Sequence, residues 1–404
     1  MPVPDALSLV LGIVFMFTDI YMIFVKRYKI NNLYTKWLVV FVFFCFLSVL
    51  WTISVRFSVF VILIRMFPLY AFTFFITLYV KSYKDLNVVL FSFYFASIIY
   101  MVWIFSYIDI SILGEGRFDS AFEDDDIREK MNSNYIAGQF VFAIYSGYYL
   151  FGGIAKRARF LKRFLYLVAT LPMLYVIFVS GSRTSLGVLI IPLLVMSLSG
   201  KSMLRGLLFG SALIVVLFVL ITKVPGIYDI LGVRILDAFN VMSGNEQGTE
   251  DTSRLILAMY GLEWFQDNPI FGIGINCFRV LSNQSGWYAG KNFYAHNNYI
   301  ELLVDIGLMG LFLYYRFAHW NIWKSYKRMK NGKSRRVILS FLIVLLFSDI
   351  FWVAYYNPLS QLMLCLAFVI IGLEENKIKL MNFKQVDIIR PSSIHPINEP
   401  IGGN

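Results

Sequence analysis

Apolar runs of about twenty residues recur along most of this chain, each long enough to cross a bilayer as a helix. In lipid, every backbone N–H and C=O must be paired within the chain, so only helices or a closed barrel can span. The runs here are continuous rather than alternating, which argues against a barrel. The sequence therefore predicts an all-α polytopic membrane protein with about 11–12 transmembrane helices and a large external loop containing amphipathic helices. Composition agrees. Charged residues make up 15% of the 404, against roughly 25% in soluble domains.

The formal charge of +11 needs no nucleic-acid partner. Positive loops that fix topology explain it, and membrane lipids are the expected surroundings. Lys26, Arg27, Lys29 and Lys36, then Lys81 and Lys84, then Lys156–Arg163, Lys201 and Arg205, and finally Lys324–Arg336 mark the inner side in turn. Between them Ala6–Val25, Trp37–Ser54, Phe57–Val80, Leu86–Ile108, Tyr135–Ile154, Phe164–Ser180, Leu186–Leu198, Gly206–Thr222, the stretch from Tyr294 to Arg316, Val337–Tyr356 and Leu359–Leu373 are the expected spans. This path starts the chain outside. It leaves Asp109–Asn134, with the acidic run Glu123–Asp126, and Lys223–Phe293 as external segments. The resulting units are 1–222, N-terminal transmembrane helices; 223–293, external loop; 294–373, C-terminal transmembrane helices; and 374–404, a cytoplasmic tail. The first span lacks a basic leader and a small-residue cleavage site, so it reads as a retained helix. Cys45 and Cys365 fall inside spans and Cys277 stands alone in a loop, which gives no disulfide framework and no metal set.

Within the long external segment, Asp251–Pro269 predicts an amphipathic helix, capped by Thr252 or Ser253 and stopped by Pro269. Leu255, Met259, Leu262, Trp264 and Phe265 would give it an apolar side to lay on the outer membrane surface or over a cavity. "FGIGINCF" after it reads as a tight loop, with Gly272 and Gly274 allowing backbone angles other residues resist.

Four groups could carry chemistry on or near the outer face. Arg183 lies at a helix–helix corner, where it reads either as an interfacial snorkelling arginine or as a ligand for an anion. Arg254 opens the external helix, an end whose dipole prefers anions, so it suits holding an external anion. Arg65 lies deep in a span, where charge is costly, and Asp19 could be its partner. His296 stands at the mouth of the helix begun by Asn297 or Asn298. The positive helix end disfavours imidazolium, and a neutral imidazole is what a general base requires. Glu301 and Asp305 follow one helical turn apart, to pair with arginines or to serve catalysis. Arginine forks bind pyrophosphate and a base can deprotonate a sugar hydroxyl, so a lipid pyrophosphate donor is a natural substrate.

Three segments, "NSNYIAG" (Asn132–Gly138), "SGSRTSLGVLI" (Ser180–Ile190) and "RLILAMYGLEWFQDNPIFGIGINCF" followed by "YAHNNYIELLVDIGLMG", resemble in order and topology the O-antigen ligase/polymerase superfamily. The likeness runs over about residues 132–313; the earlier part is similar only as generic apolar helices. The resemblance implies inverting, metal-independent and cofactor-free glycosyl transfer from undecaprenyl-pyrophosphate-linked oligosaccharide, on the periplasmic side of a bacterial inner membrane. It implies that Arg183 and Arg254 bind the pyrophosphate and that His296 activates or positions the acceptor hydroxyl. Asn132, Asn134, Asn297, Glu301 and Arg65 are the further substrate-binding candidates, and Arg279 aligns with no motif. A chain-length regulator and a flippase are the expected protein partners. A polymerase acting on lipid-linked repeat units is favoured, because the matches are confined to the motifs shared by the superfamily. A ligase that moves the glycan to lipid A-core is the alternative. A flippase, the reading from a different class, would need a charged central cavity between repeats, and no internal symmetry is visible.

Overall fold

The computed structural model describes residues 5–28, 33–107, 132–152, 159–198, 250–285, 290–317, 319–329 and 332–389, with isolated positions between 208 and 228. Among the described residues regular structure is helical throughout. The helices are α1 (Asp5–Phe24), α2 (Leu33–Leu47), α3 (Val55–Tyr79), α4 (Tyr83–Phe105), α5 (Ser133–Gly152), α6 (Arg159–Val179), α7 (Arg183–Leu198), α8 (Glu250–Asp267), α9 (Phe278–Gln284), α10 (Asn298–Phe317), α11 (His319–Arg328), α12 (Gly332–Ser348) and α13 (Pro358–Ile389). The expected acidic external loop, the basic residues 156–158, most of the span Gly206–Thr222, residues 229–249 and the end of the tail lie outside the described residues.

Among the described residues five helices are long and apolar enough to cross a membrane: Ala6–Phe24, Leu33–Leu50, Val55–Tyr79, Tyr83–Phe105 and Pro358–Lys377; Phe164–Val179 and Arg183–Val195 are shorter apolar helices. The protein is an all-α, multi-pass membrane protein. Helix α5 is less apolar for a physical reason. Ile136, Ala137, Phe140, Val141 and Ala143 are buried against other helices, so Asn134, Gln139 and Ser146 need not meet lipid. Without a hydrophobic drive between helices in lipid, close packing and interhelical hydrogen bonds hold such a bundle. An aromatic knot supplies the first: Trp37 stacks on Phe41, and Tyr314 meets both edge-on at 5.7 and 5.3 Å. Tyr70 supplies the second, its hydroxyl donating to the Tyr355 carbonyl at 2.7 Å.

The stretch expected to begin a continuous inward span does not do so. Helix α10 is broken at Gly307, whose φ of 64° and ψ of −169° are not helical. A straight helix would hold residues 298 and 315 about 25 Å apart. Instead Asn298 Nδ2 donates to the Tyr315 hydroxyl at 2.9 Å, and the Tyr299 and Tyr315 rings stack at 4.8 Å. Residues 308–317 therefore fold back beside residues 298–306.

The "NPIFGIG" turn makes this break tolerable. Leu308 and Met309, the first donors of the second leg, give their N–H groups to the carbonyls of Pro269 and Ile270 at 2.9 and 3.1 Å. The last acceptors of the first leg, Val304 and Asp305, take the N–H groups of Ile273 and Gly274 at 3.1 and 2.8 Å. Broken helices survive at membrane depth only where protein satisfies the freed backbone groups in this way. The turn is clamped from the other side by the corner after α2: Ile53 N–H donates to the Ile273 carbonyl at 2.9 Å and Ser58 Oγ to the Ile275 carbonyl at 2.7 Å.

Helix α8 starts at Glu250, so Thr252 and Ser253 are inside it rather than capping it, and it ends at Asp267 with Asn268 and Pro269 in the turn. It has two apolar sides. Leu257 and Gly261 face inward and join Trp264, Phe278, Ala295, Ile300 and Val304 in a second, smaller core. Leu255, Met259 and Leu262 lie outward and exposed, continuous with exposed Ile270 and Phe271. The packing of the second core runs across residue 293, binding the external segment to the first leg of α10.

Candidate active site

Four helices begin close to one another, each with a side-chain cap of the kind that satisfies the first free N–H groups. Asn132 Oδ1 accepts from the N–H groups of Asn134 and Tyr135 at 3.0 and 3.2 Å and starts α5. Ser182 Oγ accepts from Ser185 N–H at 3.2 Å and starts α7. Asn297 Oδ1 accepts from Tyr299 and Ile300 N–H at 2.9 and 3.1 Å and starts α10. Asn357 Oδ1 accepts from Leu359 and Ser360 N–H at 3.0 and 3.1 Å and starts α13. Cross-links hold the four ends together. Ser185 Oγ donates to the Asn134 carbonyl at 3.1 Å, joining α7 to α5. Gly138 of α5 lies against Trp352 and Leu359. Asn298 fastens α10 to the turn ahead of α13: its N–H donates to the Asp349 carbonyl at 2.7 Å, and its Oδ1 accepts from Ala354 and Tyr355 N–H at 2.8 and 3.2 Å. The positive ends of four helix dipoles thus meet in one region, which favours an anion there.

The Ser-Arg-Thr corner is buried except for its arginine. Ser180, Ser182, Thr184 and Ser185 are all buried, while Arg183 is half-buried at the first position of α7. Arg183 sits one turn above Gly187, which touches Phe347 of α12. The residues just beyond Phe347 are those that Asn298 grips, so Arg183 and the His296 loop flank the same turn.

The corner at His296 is strained and heavily braced. The cap of α10 is Asn297, which leaves His296 one residue ahead of it rather than in the cap itself. His296 has φ of 53°, a left-handed conformation unusual for a residue with a Cβ. Such strain persists only where surroundings over-determine it, and three contacts do so. Glu301 is fully buried, and its Oε2 accepts from the N–H of Ala295 at 2.6 Å. Asn297 fixes the far side through its cap. The Tyr294 ring lies 3.9 Å from the His296 ring, centroid to centroid.

Above that pair stands Arg279, whose role the sequence left open. Its guanidinium lies 5.0 Å from the Tyr294 ring. Its Nε donates to Asn276 Oδ1 at 3.0 Å, Nη1 to the Asn292 carbonyl at 3.3 Å and Nη2 to the Tyr356 hydroxyl at 3.0 Å. Burial alone would lower its pKa; Tyr356 and Glu301 beside it more than offset that and raise it. Arg279 therefore stays charged and forms a stack with Tyr294 and His296. Asp305, also fully buried, sets the base of α9 by accepting Asn276 and Phe278 N–H at 2.6 and 2.7 Å.

Arg254 joins from α8. Gly261 lies against Ile300 and Val304, and Pro269 against Leu308, so α8 runs parallel to the first leg of α10. Seven residues before Gly261, about 10 Å further up the helix, Arg254 comes level with the loop that carries His296. Leu257, three residues further along the helix, shares a cluster with Ala295.

Arg65 lies in the π-helical turn Val61–Met66 of α3, with its exposed side chain over Phe60 at 6.0 Å, five residues before Tyr70, whose hydroxyl reaches the Tyr355 carbonyl. Asp19 is buried beside Ile62, Met66 and Tyr70, with no hydrogen-bond partner at Oδ1. Asn132 and Asn297 have structural work as caps, Asn134 lends its carbonyl to Ser185, and Glu301 braces the loop. Beside Arg279, sequence reasoning passed over Tyr294, Tyr356, Asn298 and Asp349. The last could have been noticed as a lone acid closing an apolar helix; the others belong to no pattern of spacing.

Residues 168–315 match the family model Wzy_C, O-antigen ligase. The match contains Arg183, Arg254, the broken-helix turn and His296, and it stops at Tyr315, the residue against which α10 folds back. Asn132–Gly138 lies outside it. No curated protein matches the chain.

Proposed function

We propose that this chain, which belongs through residues 168–315 to the O-antigen ligase/polymerase superfamily, is a surface-polysaccharide polymerase of the bacterial inner membrane. It would move the growing glycan from undecaprenyl pyrophosphate to a lipid-linked repeat unit on the periplasmic side. The observation that carries the reading is the strained His296, braced by Glu301 and stacked under Tyr294 and Arg279, among converging helix N-termini that also hold Arg183.

In this reading the acceptor sugar hydroxyl gives its proton to the His296 imidazole. Its oxygen attacks the anomeric carbon of the donor sugar from the face opposite the pyrophosphate, so configuration inverts. As the C–O bond breaks, its electron pair leaves with the pyrophosphate, whose charge Arg183 and Arg254 take up through forked hydrogen bonds. Arg279 acts through Tyr294 and Glu301 as a positioning residue. No metal or cofactor is required by this scheme.

A polymerase and a ligase share this donor chemistry. We choose polymerase because the likeness is confined to the shared motifs. Deletion followed by electrophoresis of the surface glycan tests the choice. Single repeats on the acceptor support it. Long chains stranded on the lipid carrier would make the protein a ligase. Repeats trapped on the inner leaflet would make it a flippase, and an unchanged glycan overturns every one of these readings.

A further inference from the structure

A chamber lies between α4, α5, α7, α12 and α13. Its volume is about 610 Å³, within the range of small-molecule pockets, roughly 300–1,000 Å³. Leu90, Val141, Phe142, Val344, Leu366 and Ile370 give it an apolar wall. Along α12 the lining runs from Ser334 to Val344, about 15 Å of helix, which is half of a hydrocarbon core about 30 Å thick. Between the chamber and the candidate active site Gly187 packs against Phe347, and Gly138 against Trp352 and Leu359. It is thus a slot one leaflet deep, separate from the glycan chemistry.

The other end is polar. Arg336, Lys377 and Glu374 line it, together with Tyr83 and Ser334. Glu374 Oε1 accepts from the Tyr83 hydroxyl at 2.5 Å and from Ser334 Oγ at 2.7 Å, so it belongs to an internal hydroxyl cluster. Lys377, three residues on, is exposed at the rim. Two cations against one carboxylate leave the rim positive, which suits a head group of net negative charge. Tyr148 and Tyr149 line the slot and are 52% and 45% exposed, leaving a side through which a chain can enter.

We propose that this slot holds one hydrocarbon chain of an anionic glycerophospholipid, with its phosphate at Arg336 and Lys377. Naming the leaflet as the inner one rests on the orientation proposed above; the binding itself does not depend on the glycosyl-transfer reading. Native mass spectrometry of the full chain in detergent, titrated separately with phosphatidylglycerol, phosphatidylcholine and polyprenyl phosphate, tests it. Phosphatidylglycerol should be retained about tenfold better than phosphatidylcholine. Ser340→Trp, which fills the slot, should cut that retention about tenfold, and the pair Arg336→Gln and Lys377→Gln should abolish the preference for the anionic lipid. Should Ser340→Trp fail to fold, Val344→Phe takes its place. Equal retention of both phospholipids, or full retention by the filled variant, overturns the site. Displacement of phosphatidylglycerol by polyprenyl phosphate overturns the occupant. Loss of lipid retention with normal glycan synthesis separates this site from the proposed function.

Discussion

At the scale of single residues, the informative feature is that His296 is both strained and braced. A left-handed conformation costs a residue with a Cβ roughly 1–2 kcal/mol, and glycine escapes that cost. Glycine also gains about 0.4–1 kcal/mol of freedom in the unfolded chain, which acts in the opposite direction. His296→Gly should therefore melt within about 4 °C of the wild type while losing glycan transfer. A folded variant that still polymerises would remove His296 from the chemistry. Arg279 and Glu301 form the second residue-scale test. Arg279 is half-buried and neighbours fully buried Glu301 without a direct hydrogen bond, so removing its guanidinium costs roughly 1–3 kcal/mol through the donors lost to Asn276, Asn292 and Tyr356. Arg279→Gln should accordingly be destabilising, and adding Glu301→Gln should recover about 0.5–1 kcal/mol of that loss in thermal unfolding. Strictly additive losses would show that the two groups do not interact. The sequence pointed to His296, Arg183 and Arg254 because each sits in a recognisable pattern. It did not point to Arg279, whose partners Tyr294, Tyr356 and Asn276 lie in three different segments.

At the scale of elements, the broken helix α10 and the turn that fills its break are one structural unit. Gly307 and Gly272 both have positive φ, and each faces backbone of the other's segment: a Cβ on Gly307 would lie 2.3 Å from the Ile270 carbonyl oxygen, and one on Gly272 2.5 Å from that of Asp305. Neither neighbour can move without breaking the four hydrogen bonds that join the turn to the two legs. Gly307→Ala should lose several kcal/mol, read as a fall in melting temperature and in monodisperse yield. Gly290 provides the control. It also has positive φ, but nothing stands within 4 Å of its missing Cβ, so Gly290→Ala should cost only about 1–2 kcal/mol. Equal effects at both positions would mean that the turn does not support the break. The sequence marked Gly272 and Gly274 as turn formers. It could not show what the turn supports, since its partners lie more than thirty residues further on, inside an apolar run that looks like an uninterrupted span.

At the scale of the whole molecule, orientation decides whether the site meets extracytoplasmic glycans. The native cysteines Cys45, Cys277 and Cys365 are all buried, so introduced cysteines can be read against a low background. Glu263 and Arg328 are both exposed, on α8 and at the end of α11. In intact spheroplasts, Glu263→Cys should react with a membrane-impermeant maleimide, and Arg328→Cys should react only after permeabilisation. The reverse pattern would place the His296 loop on the inner side and defeat the proposed function, while leaving the fold untouched.

The sequence by itself determined the class of protein, the start of α10 at Asn297–Asn298 and the turn glycines Gly272 and Gly274. Hydropathy over about twenty residues, caps within three residues of a helix start and glycines in a turn are local properties, and local properties are written in local sequence. Tertiary structure decided the rest. It folded α10 back on itself, brought four capped ends together and set Arg279 over Tyr294 and His296. Each of those outcomes depends on backbone groups and side chains distant in sequence satisfying one another, in a setting where lipid offers no hydrogen bonds in their place.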